Sequence, residues 1–291
     1  MAFGLRWSAW RDARGNFAGL LLWSCTWKLA RCRTAFSRGA VVLIEPRQRC
    51  EFQAVLCNGL EAARAWGWAY VIAHGYGSFA FWNEMRCSAL DSFPLYYELP
   101  KDIIASGQDY SDFLKEGDLW NWLSEKHFSH VIITQTDVII NSAVDIMPFV
   151  MTYDFLGCKT RWHQHEFPPH LRGRAIAAVN GGFSLRSIPY TVNATKILPS
   201  KSTKSSQMRK AKDWSQNHED VYFAWAIWIL GGDIASGQLI ERNWCTQKAK
   251  STSGLVAVHK PDTALFNSLL KLFIPSKCTL SSVERSGVIL S

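Results

Sequence analysis

Residues 130–137 read His-Val-Ile-Ile-Thr-Gln-Thr-Asp, a short apolar run that ends in polar side chains. This pattern is typical of a buried strand in a parallel sheet. Ligands of open α/β sheets bind at the carboxyl ends of such strands. Asp137 is therefore predicted to lie where a nucleotide or a metal would bind, although a simple turn after the strand explains the same residues.

The region upstream predicts a strand, a helix and a second strand. Residues 40–47 and 68–74 read as strands, and residues 51–66 place their apolar side chains on one helical face. This order is a βαβ unit, which requires a parallel sheet. A helix over 110–127 and short strands near 96–99 and 153–157 extend the same pattern. We therefore predict an α/β fold with a mostly parallel central sheet flanked by helices.

Basic residues are concentrated in two segments. The chain carries a formal charge of +8, yet residues 1–40 contain seven arginines and lysines against one aspartate, and residues 196–212 contain six with no acid. The remainder is mildly acidic, which argues against a nucleic-acid-binding surface. Residues 1–39 form a basic extension whose apolar run at 17–27 is too short to span a bilayer but suits a targeting segment. Residues 196–216 are predicted to be a flexible basic insertion.

Eight cysteines show neither a Cys-x-x-Cys pair nor a zinc-ligand spacing. Cys50 and Cys57 are two turns apart on a predicted helix, so we expect them to pack in the core rather than form a disulfide. Asn193-Ala-Thr195 is a glycosylation sequon, usable only in a chain that enters the secretory route. These residues leave the compartment open between secretory, organellar and cytoplasmic.

Two later stretches carry candidate functional residues. Gly181 and Gly182 interrupt a strand-like run at 177–186, which predicts close approach of a ligand or a β-bulge. Glu219 and Asp220 open a run at 217–230 that is apolar on nearly all sides and predicts a buried helix. The helix dipole is expected to lower the pKa of both carboxyls, and one of them could accept a proton.

A last strand at 255–261 ends in His259 and Lys260, which could meet a metal and a phosphate respectively. Taken in order with Glu45-Pro-Arg47, Gln135-Thr-Asp137, Asp154-Phe-Leu-Gly157 and the Asn-Gly-Gly-Phe-Ser-Leu-Arg run at 180–186, these motifs resemble a family known only as a domain of unknown function. That family is grouped with GT-A glycosyltransferases, and the resemblance covers residues 40–265.

The resemblance implies a role for each matched residue. Asp137 and His259 would bind a divalent metal, Mn²⁺ or Mg²⁺, although Gln135 stands where the family of folds usually has a first acid. Asp220 would be the catalytic base, with Glu219 beside it. Donor and acceptor would be bound by a set of seven residues: Gln135, Asp137, Asn180, Gly181, Gly182, Arg186 and Lys260.

The resemblance also implies the function and the partners. The domain at 40–265 would transfer a sugar from a nucleotide-sugar donor to a glycan or another hydroxyl acceptor, and residues 266–291 would form a terminal helix and tail. The alternative is an inactive module of the same fold that binds a nucleotide or a glycan. In a third interpretation, the two basic segments bind nucleic acid or a membrane surface. Of these partners, we retain only a membrane or targeting contact through residues 1–39.

Overall fold

The computed structural model describes residues 38–49, 52–84, 94–101, 103, 107–158, 180–197, 218–234, 243–247 and 251–273. The predicted targeting segment, most of the basic insertion and the end of the tail lie outside these ranges. Within them, no helix is both long enough and apolar enough to cross a membrane.

The main sheet has six strands in the order β3-β2-β1-β4-β7-β6. Strands β1 to β4 are mutually parallel, whereas β7 is antiparallel to both of its neighbours. The predicted mostly parallel α/β sheet is therefore confirmed. The strand bounds are β1 Gly39–Glu45, β2 Ala69–His74, β3 Leu95–Glu98, β4 His130–Thr134, β6 Phe155–Cys158 and β7 Asn180–Ser187.

A second sheet of three short strands lies on one side of the main sheet. It contains β5 (Val138–Ile140), β8 (Cys245–Gln247) and β9 (Ala257–His259), in the order β5-β9-β8. The strand predicted at 255–261 contains β9, but β5, β8 and their pairing in a separate sheet were not predicted, because three-residue strands are too short to show a period. Strand β5 follows β4 after only three residues, so the turn at 135–137 connects the two sheets.

Helices cover both faces of the main sheet. Their bounds are α1 Phe52–Ala65, α2 Phe79–Glu84, α3 Gly107–Glu116, α4 Asp118–Glu125, α5 Met147–Thr152, α6 Ile188–Thr195, α7 Glu219–Ile229 and α8 Thr263–Phe273. One apolar core joins α1, β5 and β9 to the sheet, and the other joins α4, α6 and α7 to its opposite face. Helix α7 is buried on nearly all sides, as its composition predicts.

One predicted helix is wrong for an identifiable reason. The single helix expected over 110–127 is two helices, because Gly117 adopts φ +99°, a left-handed conformation that breaks the hydrogen-bond ladder. Pro148 stands in the first turn of α5, where its missing N–H is harmless. Helix α8 begins at Thr263 and packs on α1, so it crosses the boundary predicted at residue 265.

A buried disulfide joins the two sheets. Cys158 ends β6 and Cys245 begins β8, their Cα atoms are 4.8 Å apart, and both side chains are fully buried. Cys57 is disulfide-bonded as well, so the expectation that it only packs in the core is wrong. Sequence spacing could not reveal the pairing of Cys158 with Cys245, since 87 positions separate them.

We predict that Cys158→Ser destabilises the fold. The bond closes a long loop, and loss of such a bond costs about 2–5 kcal/mol through the added freedom of the unfolded chain. Urea denaturation of the wild type, of Cys158→Ser and of Cys158→Ser/Cys245→Ser measures the effect. Equal free energies of unfolding for all three proteins would contradict a structural role for the disulfide.

Candidate active site

Asp137 and His259 are brought together by strand pairing. Val138 of β5 is in register with His259 of β9, and the Lys260 N–H donates to the Asp137 carbonyl oxygen at 2.7 Å. The His259 Nε2 atom consequently lies 3.3 Å from Asp137 Oδ2. Two residues that are 122 positions apart in the chain thus meet beside the carboxyl end of β4.

The polar atoms of this pair are largely unpartnered. Asp137 Oδ1 and both ring nitrogens of His259 are buried without a well-aligned hydrogen bond. Burial alone would raise the pKa of Asp137, but the hydrogen bond and charge of the adjacent His259 ring, together with the charge of Lys260 and a backbone hydrogen bond, lower that pKa. Buried polar atoms that lack partners are costly, so this arrangement favours a site completed by a ligand.

A second ion pair fixes the turn that carries Asp137. The Glu45 carboxylate at the end of β1 accepts hydrogen bonds from the Arg47 side chain at 2.7 Å through both of its oxygens. Thr136 Oγ1 donates to the same carboxylate at 3.3 Å, and the Gln135 N–H donates to the Gly182 carbonyl oxygen at 3.0 Å. The turn at 135–137 is therefore held from both neighbouring strands.

The two glycines of β7 face different layers of the molecule. A Cβ atom on Gly182 would lie 2.5 Å from His259 Nε2 and 2.9 Å from Gln135 Oε1, on the side of the small sheet. A Cβ atom on Gly181 would lie 2.5 Å from Glu219 Oε1, on the side of α7. The register of β6 against β7 shifts here, so the strand pairing is irregular beside the glycines. Both glycines are explained by close approach of side chains.

The cluster on the α7 side is closed and mostly hydrogen-bonded, although Arg186 Nη1 is buried without a hydrogen-bond partner. Arg186 is fully buried, its Nη2 donates to Glu219 Oε1 at 3.0 Å and its Nε donates to Ser184 Oγ at 3.0 Å. Asp220 accepts from the Gly181 N–H at 2.9 Å and from the Val221 N–H at 2.8 Å. The rings of Trp120, Phe155 and Phe223 surround the guanidinium, with centroids 5.0–5.5 Å from Cζ.

These contacts bear on two of the predicted roles. Arg186 was expected to bind donor or acceptor and Glu219 to act in catalysis; both are buried and pair with each other, and this pairing links the start of α7 to β7. The predicted lowering of the Glu219 pKa is wrong: burial, followed by the charge of Asp220, raises it to about 7.

The remaining predicted residues lie close to the glycine pair. Asn180 begins β7, and its Oδ1 accepts from the Gly182 N–H at 3.0 Å. Lys260 follows His259 and has φ +50°, a left-handed backbone conformation that is uncommon for residues other than glycine. The structure thus groups Gln135, Asp137, Gly182 and His259 on one side of β7, and it places Asp220 across the strand beside Gly181.

Tyr110 is a site residue that the sequence did not single out. Its hydroxyl is buried without a well-aligned hydrogen bond, and burial followed by the charge of Glu219 raises its pKa. The Gln135 side chain is near enough to hydrogen-bond the Tyr110 hydroxyl, and this contact lowers the Tyr110 pKa. Tyr110 therefore lies between the two clusters. An aromatic residue in an amphipathic helix gives no sign of such a position, because it fits a core position equally well.

A protein-only metal site is not complete in the described part of the chain. No group of three or more His, Cys, Asp or Glu side chains with suitable spacing occurs there. Asp137 and His259 provide one carboxylate and one imidazole, and Gln135 adds an amide oxygen near the same point. Such a partial set matches a cation that takes its other ligands from a substrate and from water.

The chain is similar to known proteins in sequence and in structure. Residues 96–236 match the family described as "Protein of unknown function (DUF5672)", which confirms the resemblance to an uncharacterised family. The structure is similar to a galactosyltransferase, LgtC, solved in complex with donor and acceptor sugar analogs. The TM-score is 0.48, the sequence identity is 11%, and the match covers 82% of this chain and 98% of that one.

An active-site mutant of LgtC is similar to the same degree, with a TM-score of 0.48, an identity of 10%, and coverage of 82% of this chain and 98% of that one. Among curated proteins, none matches this sequence.

We predict different consequences for an alanine at each glycine. Gly181→Ala forces a methyl group against the Glu219 carboxylate, which is held by Arg186, and overpacking of this kind costs about 1–3 kcal/mol. Gly182→Ala meets the flexible end of Gln135 and a histidine ring with unpartnered nitrogens, so it should destabilise less and displace that ring. Urea denaturation and the histidine ring NMR resonances measure both effects. A larger loss of stability in Gly182→Ala would contradict this assignment of the two faces.

We also predict a pH dependence that originates at Glu219. Its folded-state pKa of about 7 exceeds the ordinary value of 4.5, so the protonated form favours the folded state. The resulting stabilisation is complete below pH 4.5 and is lost as the pH rises through 7. Glu219→Gln should remove this slope in the free energy of unfolding. Glu61→Gln, on the exposed side of α1, is the control, and an unchanged slope in Glu219→Gln would rule out this origin.

Proposed function

We propose that this protein is a metal-assisted glycosyltransferase that moves a sugar from a nucleotide-sugar donor to an acceptor hydroxyl. The observation that carries the proposal is the meeting of the Asp137 carboxylate and the His259 ring above Gly182, with buried atoms left unpartnered. This point lies at the carboxyl end of a central parallel strand, where ligands of open α/β sheets bind.

The residues present fit a divalent cation bound together with a diphosphate. Neighbouring ligands of an octahedral ion, each about 2.1 Å from it, are separated by roughly 3 Å. The 3.3 Å between His259 Nε2 and Asp137 Oδ2 suits such a pair. Asp137 and His259 would hold the ion, with Gln135 as a neutral oxygen donor. A bound cation neutralises negative charge that develops on a leaving diphosphate.

The chain itself contributes orientation at this site. The backbone bonds of the turn at 135–137 and the pairing of β5 with β9 fix both metal-binding side chains before any ligand arrives. The low pKa of Asp137 keeps its carboxylate ionised near neutral pH. Lys260 follows His259 directly, and we propose that its ammonium contacts the diphosphate as a point charge.

Asp220 is our candidate for the base that takes the acceptor proton. Each of its carboxylate oxygens accepts one backbone N–H. An ionised carboxylate offers about four lone-pair positions, so acceptor capacity remains on both oxygens. The two backbone bonds fix the direction of the group, which a general base requires. Gly181 allows this close approach because it has no side chain.

A binding module without turnover is the second candidate, and specific observations favour it. Gln135 is neutral at the position two residues before Asp137, where the resemblance implies an acid, and Asp220 is only 7% exposed. A protein of this kind would bind a nucleoside diphosphate with a metal but would release no sugar. The two candidates share the same binding site and differ only in chemistry.

We expect a screen of nucleotide sugars to identify a donor that is hydrolysed or transferred only when Mn²⁺ or Mg²⁺ is present. Asp137→Asn and His259→Ala should weaken metal-dependent binding of the nucleotide. Asp220→Asn should retain that binding and lower transfer about 100-fold or more, because general-base catalysis contributes 10²–10⁴-fold. Calorimetry measures the binding, and product analysis measures the transfer.

Glu61→Gln is the matched control, since it removes an exposed carboxylate that is not among the proposed site residues and should change neither quantity. Metal-dependent binding without turnover of any donor would support the binding module instead. Binding that is unaffected in His259→Ala and in Asp137→Asn would contradict both candidates, because it would place the ligand elsewhere on the molecule.

A further inference from the structure

We propose that Asn193 carries an N-linked glycan and that the protein matures in the oxidising lumen of the secretory pathway. The proposal concerns a modification site on helix α6 and does not depend on the function proposed above. It rests on two separate features, the exposed sequon in α6 and the buried disulfide that joins the two sheets.

The acceptor residue is accessible. Asn193 lies in the last turn of α6 and is exposed, whereas Thr191 and Ala194 on either side of it are fully buried. The helix therefore presents the Asn193 side chain outward. The Thr195 hydroxyl completes the sequon, and no other Asn-x-Ser/Thr sequence occurs in the chain. A sequon at an accessible position is the substrate of the transferase that adds N-linked glycans.

The disulfide indicates the compartment in which the protein matures. Disulfides form and persist in oxidising compartments and are rare where thiols are kept reduced. Cys158 and Cys245 are both fully buried, belong to different sheets and are far apart in the chain. A disulfide in that position is part of the folded core. Cys57 is also disulfide-bonded, so disulfide formation in this protein is not limited to the Cys158–Cys245 pair.

The glycan would leave Asp137 and His259 accessible. Helix α6 belongs to the core on the α7 side of the main sheet, whereas β5 and β9, which position Asp137 and His259, belong to the core on the other side. A sugar chain on the outer face of α6 therefore points away from the metal-binding pair. Loss of the glycan should leave ligand binding unchanged.

The test expresses the full chain in a eukaryotic cell and follows its mobility before and after digestion with an N-glycosidase. We expect one digestible glycan on the wild type and on Thr195→Ser, and none on Asn193→Gln or Thr195→Ala. A second arm adds a secretion signal to the same chain. Mass spectrometry without reduction should recover the peptides of Cys158 and Cys245 as a linked pair.

Each outcome decides one part of the proposal. Absence of the glycan in the arm with the added signal would overturn Asn193 as an acceptor. A glycan only in that arm would overturn the compartment while leaving the acceptor intact. Recovery of Cys158 and Cys245 as free thiols from the wild type would overturn the oxidising compartment. The urea denaturation midpoint of Asn193→Gln, measured on deglycosylated protein, reports its folding and should equal that of the deglycosylated wild type.

Discussion

The buried ion pair between Arg186 and Glu219 is the constraint on which the rest of the structure depends. The guanidinium is fully buried, and three aromatic rings surround it. Removing one partner of such a pair strands an uncompensated charge, whereas the intact pair fixes two elements in one relative position. Here those elements are β7 and the first turn of α7. The pair thereby positions Asp220 against the Gly181 amide.

A second constraint holds the opposite side of β7. The small sheet carries His259, and it is tied to the main sheet by the turn at 135–137 and by the Cys158–Cys245 disulfide. Gly182 allows the imidazole to approach the strand. The glycine pair therefore separates the Arg186–Glu219 cluster from the Asp137–His259 pair. The residues proposed to bind the metal lie on one side of β7, and the proposed base Asp220 lies on the other.

Sequence patterns predicted the part of this architecture that follows from periodicity. The βαβ unit, strand β4 and the buried helix α7 were all readable, because apolar runs of their length have a clear signature. The meeting of Asp137 with His259 was expected only through a family resemblance, because β9 lies in a predicted strand but its three-residue partner β5 is too short to predict. The pairing of Arg186 with Glu219 was not foreseen, because charged side chains in a motif do not show whether they face a ligand or each other. Tyr110 gave no signal, because an aromatic residue in an amphipathic helix fits a core position equally well.

The most direct measurement of the central claim is a crystal structure with Mn²⁺ and a nucleoside diphosphate, in which anomalous scattering locates the metal. The account predicts a manganese peak within bonding distance of Asp137 and His259, with the diphosphate completing its coordination and the pair of Arg186 and Glu219 unchanged. A peak elsewhere, or a diphosphate bound to Arg186 after that pair has separated, would contradict it.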